Sequence, residues 1–242
     1  MVPGRSVAYK ARAEKAGDQG KKYPLAEAVA KIKAMGEVSS AKSYKGSRKR
    51  KGFDQTVELV MHLGIDPKQA DQMIRGSVSL PKGIGASKKV IVFCQDDMVA
   101  VAKEAGAIEA GVDDLVKKVT DGWSDFDVAI AHPAVMGKVG KLGRVLGPQG
   151  KMPSPKSGTV TPEIAQAVRE YAAGKLEYRN DAGGNVHAVV GKMSFSAEDL
   201  TANIDAFIDH IRRIKPSASR GQYIKKVSIS ATMTPGIMVD VA

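Results

Sequence analysis

Two patterns of hydrophobic spacing share this chain, and one of them occupies both ends. From Phe53 the apolar side chains fall on one side, with Val57, Leu59, Met61 and Leu63, while Asp54, Thr56, Glu58 and His62 fall on the other. Successive side chains point to opposite faces of a strand, so this spacing predicts a strand half-buried on a core. Ile74, Val78 and Leu80 continue the alternation in a second strand. Between Gly85 and Gly174 the pattern changes. A continuous apolar run, Val90 to Cys94, is followed by helical spacing over 97–105 and 112–119, a second run from Phe126 to Ala131, and helical stretches near 133–146 and 162–173. Strands that are apolar throughout and alternate with helices predict a small α/β layer built on a mostly parallel sheet. After Gly174 the first pattern returns at Leu176–Asn180, Val186–Val190, Tyr223–Ser230 and Ile237–Val241. Among these lies a helix that Ser196 and Asp199 cap and that turns Leu200, Ile204, Phe207 and Ile211 inward.

The economical architecture has two domains: a discontinuous α+β domain I made from both ends of the chain, and an inserted Rossmann-like α/β domain II. The expected divisions are 1–83, 84–174 and 175–242, with Pro81, Gly83, Gly85 and Gly174 as the hinge where the chain crosses twice. Ahead of the first strand, Pro24 opens a short docked helix with Leu25, Ala28, Val29, Ile32 and Met35 on one face. The residues before it read as a mobile basic start.

Charge separates the two patterns further. The chain of 242 residues carries a formal +11. Residues 1–52 hold 14 Lys/Arg against 4 Asp/Glu, whereas residues 84–174 hold 11 of each. The excess is therefore N-terminal, and it peaks in SSAKSYKGSRKRKG over 39–52, which has six basic residues, no acids and small residues throughout. Such a stretch is either a solvated linker or a contact for a polyanion, with Lys49, Arg50 and Lys51 at its centre. In the middle segment, Lys138, Lys141, Arg144, Lys151 and Lys156 lie among glycines and prolines with no acid from 137 to 162, a pattern suited to secondary phosphate contacts. Nine carboxylates crowd 96–127, so only one face of that segment could meet a polyanion.

The residues do not compose an active site. There is no phosphate loop of the G-x-x-x-x-G-K-[ST] type, no H-E-x-x-H and no G-x-S-x-G. His62, His132, His187 and His210 lack ligand-like spacing, so neither a catalytic residue nor a metal is expected. The glycine series Gly137, Gly140, Gly143, Gly147 and Gly150 lacks the G-x-G of a dinucleotide turn, and no cofactor is expected. Cys94, the single cysteine, falls in an apolar run and reads as a core thiol. No apolar run approaches the roughly 20 residues of a membrane span, and the start lacks the apolar segment of a secretion signal, so a cytoplasmic location without membrane contact is expected.

The run MGKVGKLGRVLGPQGKMPSPKSGTV over residues 136–160 closely resembles the signature of the ribosomal protein L-one family of the large subunit, nearest in its bacterial form. Supporting matches are FDQTVE at 53–58, LGIDP at 63–67, RGSVSLP at 75–81, DGW at 121–123, YRND at 178–181 and YIKKV at 223–227. The resemblance implies a first domain formed from both termini and a second one inserted. It also implies binding to 23S rRNA at the mobile lateral stalk, help in releasing deacylated exit-site tRNA, repression of the protein's own operon mRNA, and a monomer when free of the ribosome. Carried over by motif, the RNA surface includes Phe53, Thr56, Glu58, Arg179, Asn180, Thr232 and Met233, with Thr234 beside them. Hydroxyls there would reach ribose and phosphate oxygens while Phe and Met exclude water. Pattern alone leaves Phe53 and Met233 open as core residues. Gln149, Lys151 and Ser154 stand where the family usually has Arg, Leu and Asn. Thr234 replaces a usual Gly and would be strained if that position required positive φ. Two readings compete with a ribosomal component: a nucleotide-dependent enzyme on the Rossmann-like insert, disfavoured by the missing phosphate loop, and a free-standing RNA regulator.

Overall fold

The computed structural model describes residues 6–18, 20–38, 53–219 and 221–241. Lys49, Arg50 and Lys51 lie outside the described residues. The elements in chain order are α1 (Val7–Ala16), β1 (Lys22–Tyr23), α2 (Leu25–Gly36), β2 (Thr56–Leu63), β3 (Arg75–Val78), β4 (Val90–Phe93), α3 (Asp96–Glu104), β5 (Glu109–Gly111), α4 (Asp113–Thr120), β6 (Val128–Ala131), α5 (Met136–Val139), α6 (Gly143–Leu146), α7 (Ile164–Ala172), β7 (Leu176–Arg179), β8 (Asn185–Lys192), α8 (Ala197–Arg213), β9 (Ile224–Ala231) and β10 (Ile237–Val239). Among the described residues no helix is long and apolar enough to cross a membrane.

The chain divides into two compact units. One comprises Met1–Ile74, Leu80–Gly85 and Tyr178–Ala242, the other Arg75–Ser79 and Ala86–Glu177. The division falls at 85/86 and 177/178 rather than at 83/84 and 174/175. Arg75–Ser79, which the alternation put with the first part of domain I, groups with the second unit, and β3 pairs with β7 in a two-stranded sheet.

In the first unit the sheet order is β1-β10-β9-β2-β8, antiparallel except where β1 joins β10. The two-residue period decides which side is covered. Val57, Leu59, Met61 and Leu63 of β2, Val227, Ile229 and Ala231 of β9, and Val186, Ala188 and Val190 of β8 are buried. Helices α2 and α8 pack on each other, α2 also on β9 and β10, and α8 on β8, so both cover the same side. Ala28, Val29, Ile32 and Met35 of α2, with Leu200, Ile204, Phe207 and Ile211 of α8, are the buried helical faces that the spacing predicts. The Ser196 hydroxyl accepts from Asp199 N at 3.0 Å and donates to the Asp199 carboxylate at 2.7 Å, closing the expected cap. The opposite side, with Thr56, Glu58, Val60 and His62 of β2 beside Ser228 and Ser230 of β9, stays half-buried or exposed. An antiparallel sheet tolerates one wet face.

The start of the chain departs from expectation. Residues 7–16 form a helix whose N-cap hydroxyl, Ser6, accepts from Tyr9 N at 3.2 Å, and Arg12 and Ala16 are buried. A Lys/Ala-rich segment has good helix propensity, and the basic composition concealed it.

The second unit is a parallel sheet ordered β5-β4-β6. Val90, Val92 and Cys94 face one cluster with Ala102 of α3 and Val168 and Tyr171 of α7, while Ile91 and Phe93 face another with Leu115, Val119, Phe126 and Leu142. Burial on both faces explains why β4 is apolar throughout. Burial also pushes the Cys94 thiol pKa up, as befits a core residue. The stretch 133–146 is several short turns rather than one helix, because glycines recur at 137, 140 and 143 and glycine is a poor helix former. The three-residue strand β5 is too short to leave a pattern in the sequence.

Of the four expected hinge residues, Gly83, Gly85 and Gly174 have φ of 63°, 69° and 102°, and Pro81 is exposed. At Gly85 a Cβ would stand 2.7 Å from the Phe195 ring, so both the conformation and the space require glycine there. The segment before it is anchored by a residue that the sequence reading passed over. Asn203 of α8 is fully buried; its Oδ1 accepts from Lys82 N at 3.0 Å, and its Nδ2 donates to Gly83 O at 2.9 Å and Val190 O at 2.8 Å. Replacing Asn203 with Ala strands one N–H and two carbonyls inside the unit. Urea unfolding of Asn203→Ala is expected to give a loss of roughly 1–3 kcal/mol; a loss below about 0.5 kcal/mol contradicts the anchoring role.

Candidate nucleic-acid interface

The pairing of β2 with β9 brings residues from opposite ends of the chain to one place. The registers Val57↔Ala231 and Glu58↔Ser230 put the start of β2 beside the turn that follows β9. Thr56 and Thr232 then bond to each other: Thr232 N donates to Thr56 O at 3.1 Å, and Thr56 N donates to Thr232 Oγ1 at 3.2 Å. On the other side of β2, Lys192 of β8 lies opposite Thr56 and donates through Nζ to its Oγ1 at 2.8 Å. The site thus presents two hydroxyls and an ammonium at one end of the open sheet.

Phe53 is 62% exposed and Met233 47% exposed, so neither belongs to the core. Their exposure has a local cause. Gln55, between Phe53 and Val57, occupies the inward phase of β2 and is buried. Its side-chain Oε1 accepts from Met233 N at 3.1 Å, and its carbonyl accepts from Met193 N at 2.9 Å. Asp54 bonds Ser194 through both carboxylate oxygens, at 3.1 Å to N and 2.7 Å to Oγ. These bonds fix the chain that directly follows Phe53, while its ring stays in solvent. Glu58, two residues beyond Thr56 on the same face, is exposed.

Thr234 is not strained. Among the described residues no residue other than glycine has positive φ. Thr234 N donates to Ala231 O at 3.0 Å and its hydroxyl accepts from Ala231 N at 2.9 Å, so the side chain adds a bond to a turn that the backbone already closes.

Other expected contacts lie elsewhere. Asn180 bridges to Val186, which pairs with Met61, so Arg179 and Asn180 sit toward the far end of β2, about 16 Å from Thr56 at 3.3 Å per residue. Arg179 is exposed there. Asn180 is buried, and its side chain accepts from Ile74 N at 2.9 Å and donates to Asp181 O at 3.2 Å. That amide is committed to holding the chain, which removes it as a surface contact.

The basic residues of the second unit differ among themselves. Lys151 donates to Ser124 O at 2.9 Å and Phe126 O at 2.6 Å, with its ammonium 5.0 Å from the Phe126 ring centre. It is a structural tie rather than a phosphate ligand. Lys138 pairs with Asp113 at 2.9 Å in solvent, a contact that an RNA phosphate could replace at small cost. Lys141, Arg144 and Lys156 are exposed. Among the described residues no group of His, Cys, Asp and Glu is arranged to hold a metal ion.

The sequence reading missed Gln55, Lys192 and Arg12. Gln55 left a signal, since a polar side chain in the inward phase of a strand must find a partner. Lys192 and Arg12 left none.

The exposure of the site separates its folding role from its binding role. Met233→Ala is expected to change stability by less than about 1 kcal/mol, against about 2–5 kcal/mol for a packed methionine. Thr232→Val removes one acceptor for a solvent-accessible N–H, a loss of about 0.5–1.5 kcal/mol at most. Chemical denaturation of both variants checks this; a collapse of Met233→Ala would return Met233 to the core.

The model of the ribosomal protein L1p/L10e family covers residues 41–235. The large ribosomal subunit protein uL1 of a Nocardioides species is 49% identical over 215 residues, 89% of each chain. That of Clavibacter michiganensis is 48% identical over 237 residues, 98% of each chain, and that of Lactobacillus johnsonii is 55% identical over 188 residues, 78% of this chain and 82% of its own. With the family model spanning most of the sequence, and identities of 48–55% sustained over 78–98% of it, this chain belongs to the ribosomal protein L1p/L10e family.

Proposed function

We propose that this protein is a structural constituent of the large ribosomal subunit in the cytoplasm and grips rRNA with the open end of the first unit's sheet. One observation carries the reading: Phe53 and Met233 stand exposed close in sequence to Thr56 and Thr232, whose chains are bonded to each other and whose Thr56 hydroxyl accepts from Lys192. Exposed apolar groups beside hydroxyls and a cation suit an RNA held by shape, with apolar contact on bases or sugars and polar contact on 2′-hydroxyls and phosphates. The N-terminal excess of positive charge supplies the long-range attraction.

The finer parts of the proposal follow from the resemblance. The RNA is the lateral-stalk region of 23S rRNA, and the protein assists release of deacylated tRNA from the exit site and represses translation of its own operon mRNA. Free of the ribosome it is a monomer. The second unit is the inserted Rossmann-like domain, used without a nucleotide. The chain leaves β4 for α3 through Cys94 and Gln95, and the first turn of α3 carries Asp96 and Asp97. Two carboxylates at that helix start would repel the pyrophosphate that such folds usually seat there. A member of a ribosomal protein family needs no active site, so the nucleotide-dependent enzyme is set aside.

The experiment that separates a ribosomal component from a free-standing regulator is a sucrose-gradient profile of a lysate with quantitative detection of this chain. The proposal expects near one-to-one co-sedimentation with large subunits that survives a moderate salt wash. Recovery chiefly in the slowly sedimenting fractions overturns it.

A further inference from the structure

We infer that Arg12 is a positioning residue for the RNA-binding end of the sheet, and that α1 is therefore part of that site rather than an appendage. The inference rests on the proposed rRNA-binding role of that end. Arg12 is the one charged side chain among the buried polar residues of the described chain, at 4% exposure. Its Nη1 donates to Met233 O at 3.1 Å and its Nη2 to Val38 O at 3.0 Å. One guanidinium thus ties three separate pieces of chain: α1, the turn between β9 and β10 that carries Thr232 and Met233, and Val38, two residues beyond α2.

The chemistry fits positioning better than structural filling. A guanidinium is planar, keeps its charge when buried, and presents paired N–H groups in a fixed fork, so it can hold two carbonyls at a set spacing where a flexible ammonium cannot. A buried charge costs several kcal/mol of desolvation, which a structural tie alone does not require, because an apolar residue at a helix–sheet contact would stabilise as well or better. What the buried charge adds is a fixed turn. Met233 N is held by Gln55 from one side and Met233 O by Arg12 from the other. The Met233 side chain between these bonds is left exposed with its backbone fixed at both ends. Preorganisation of this kind raises affinity by removing the ordering cost on binding. Val38 O, the second carbonyl on the fork, lies just beyond the C-terminal end of α2, so the same side chain also fixes the end of that helix against α1.

The test uses the intact chain, with large-subunit rRNA extracted from ribosomes as the probe and three variants: Arg12→Gln, Arg12→Lys and, as a reference for the surface of α1, Lys10→Gln. Binding of the unmodified protein must be seen first; its absence would defeat the rRNA reading itself and not this inference. Given that binding, Arg12→Gln is expected to lose at least tenfold in affinity and Arg12→Lys at least threefold, while Lys10→Gln stays within twofold. In the RNA-free proteins, amide exchange at 232–234 should quicken in Arg12→Gln and Arg12→Lys while amides of β2 from Leu59 to Met61 keep their protection. Full affinity in Arg12→Lys overturns the inference, because charge alone would then suffice. Unchanged exchange at 232–234 in Arg12→Gln overturns it as well. Should Arg12→Gln fail to fold, the unmodified chain decides: added rRNA must slow amide exchange in α1 as well as in the turn, and protection of the turn without α1 counts against the inference.

Discussion

Everything at the candidate interface depends on β2 lying between β8 and β9. Its inward residues hold it on the core beneath α2 and α8, and its register with both neighbours then determines what stands at its start. Because the side-chain period of a strand is two, a slip of one residue would turn Val57, Leu59 and Met61 to solvent and separate Thr56 from Thr232. The hydrophobic core and the site are therefore specified by the same alternation. A surface assembled from residues 176 positions apart needs no dedicated loop to organise it, since the sheet does so.

The two units solve the problem of burying a sheet in different ways, and the difference bears on what each can bind. The first covers one face of an antiparallel sheet and leaves the other to solvent, which frees a row of polar side chains and the strand ends. The second covers both faces of a parallel sheet, and its basic residues are partly drawn into its own structure. Lys151 caps the carbonyls of Ser124 and Phe126, and Lys138 faces Asp113. Its charge is balanced and its helix starts are acidic. Lys141, Arg144 and Lys156 are exposed, as the proposed secondary contact requires.

Much of this was legible in the sequence wherever a residue obeys one dominant local force. The period of β2, the apolar run of β4, the inward stripe of α8 and its Ser196–Asp199 cap could all be read directly. The change of pattern marked a second unit, but the alternation put Arg75–Ser79 in the other unit from the one with which it groups. The failures have a common physical source: residues whose partners are distant in sequence. Asn180 matched a family motif and reads as a surface amide, yet its hydrogen bond to Ile74 crosses 106 positions. Lys151 stands in a basic run, yet its ammonium is drawn to two carbonyls of the loop between α4 and β6. Arg12 sits in a segment whose charge suggested disorder, and its partners lie 26 and 221 positions away. Thr234 is the reverse case. A departure from the family pattern suggested strain, but the side chain supplies its own bond to Ala231 and the backbone never enters the positive-φ region.

The central claim, that rRNA is gripped by the open end of the first unit's sheet, is tested most directly by a hydrogen-exchange footprint of the intact chain on large-subunit rRNA. The account predicts slowed exchange on RNA binding at 56–58 and 231–234, with smaller changes over 138–156. Protection confined to 138–156, with the start of β2 and the turn after β9 unchanged, would contradict it.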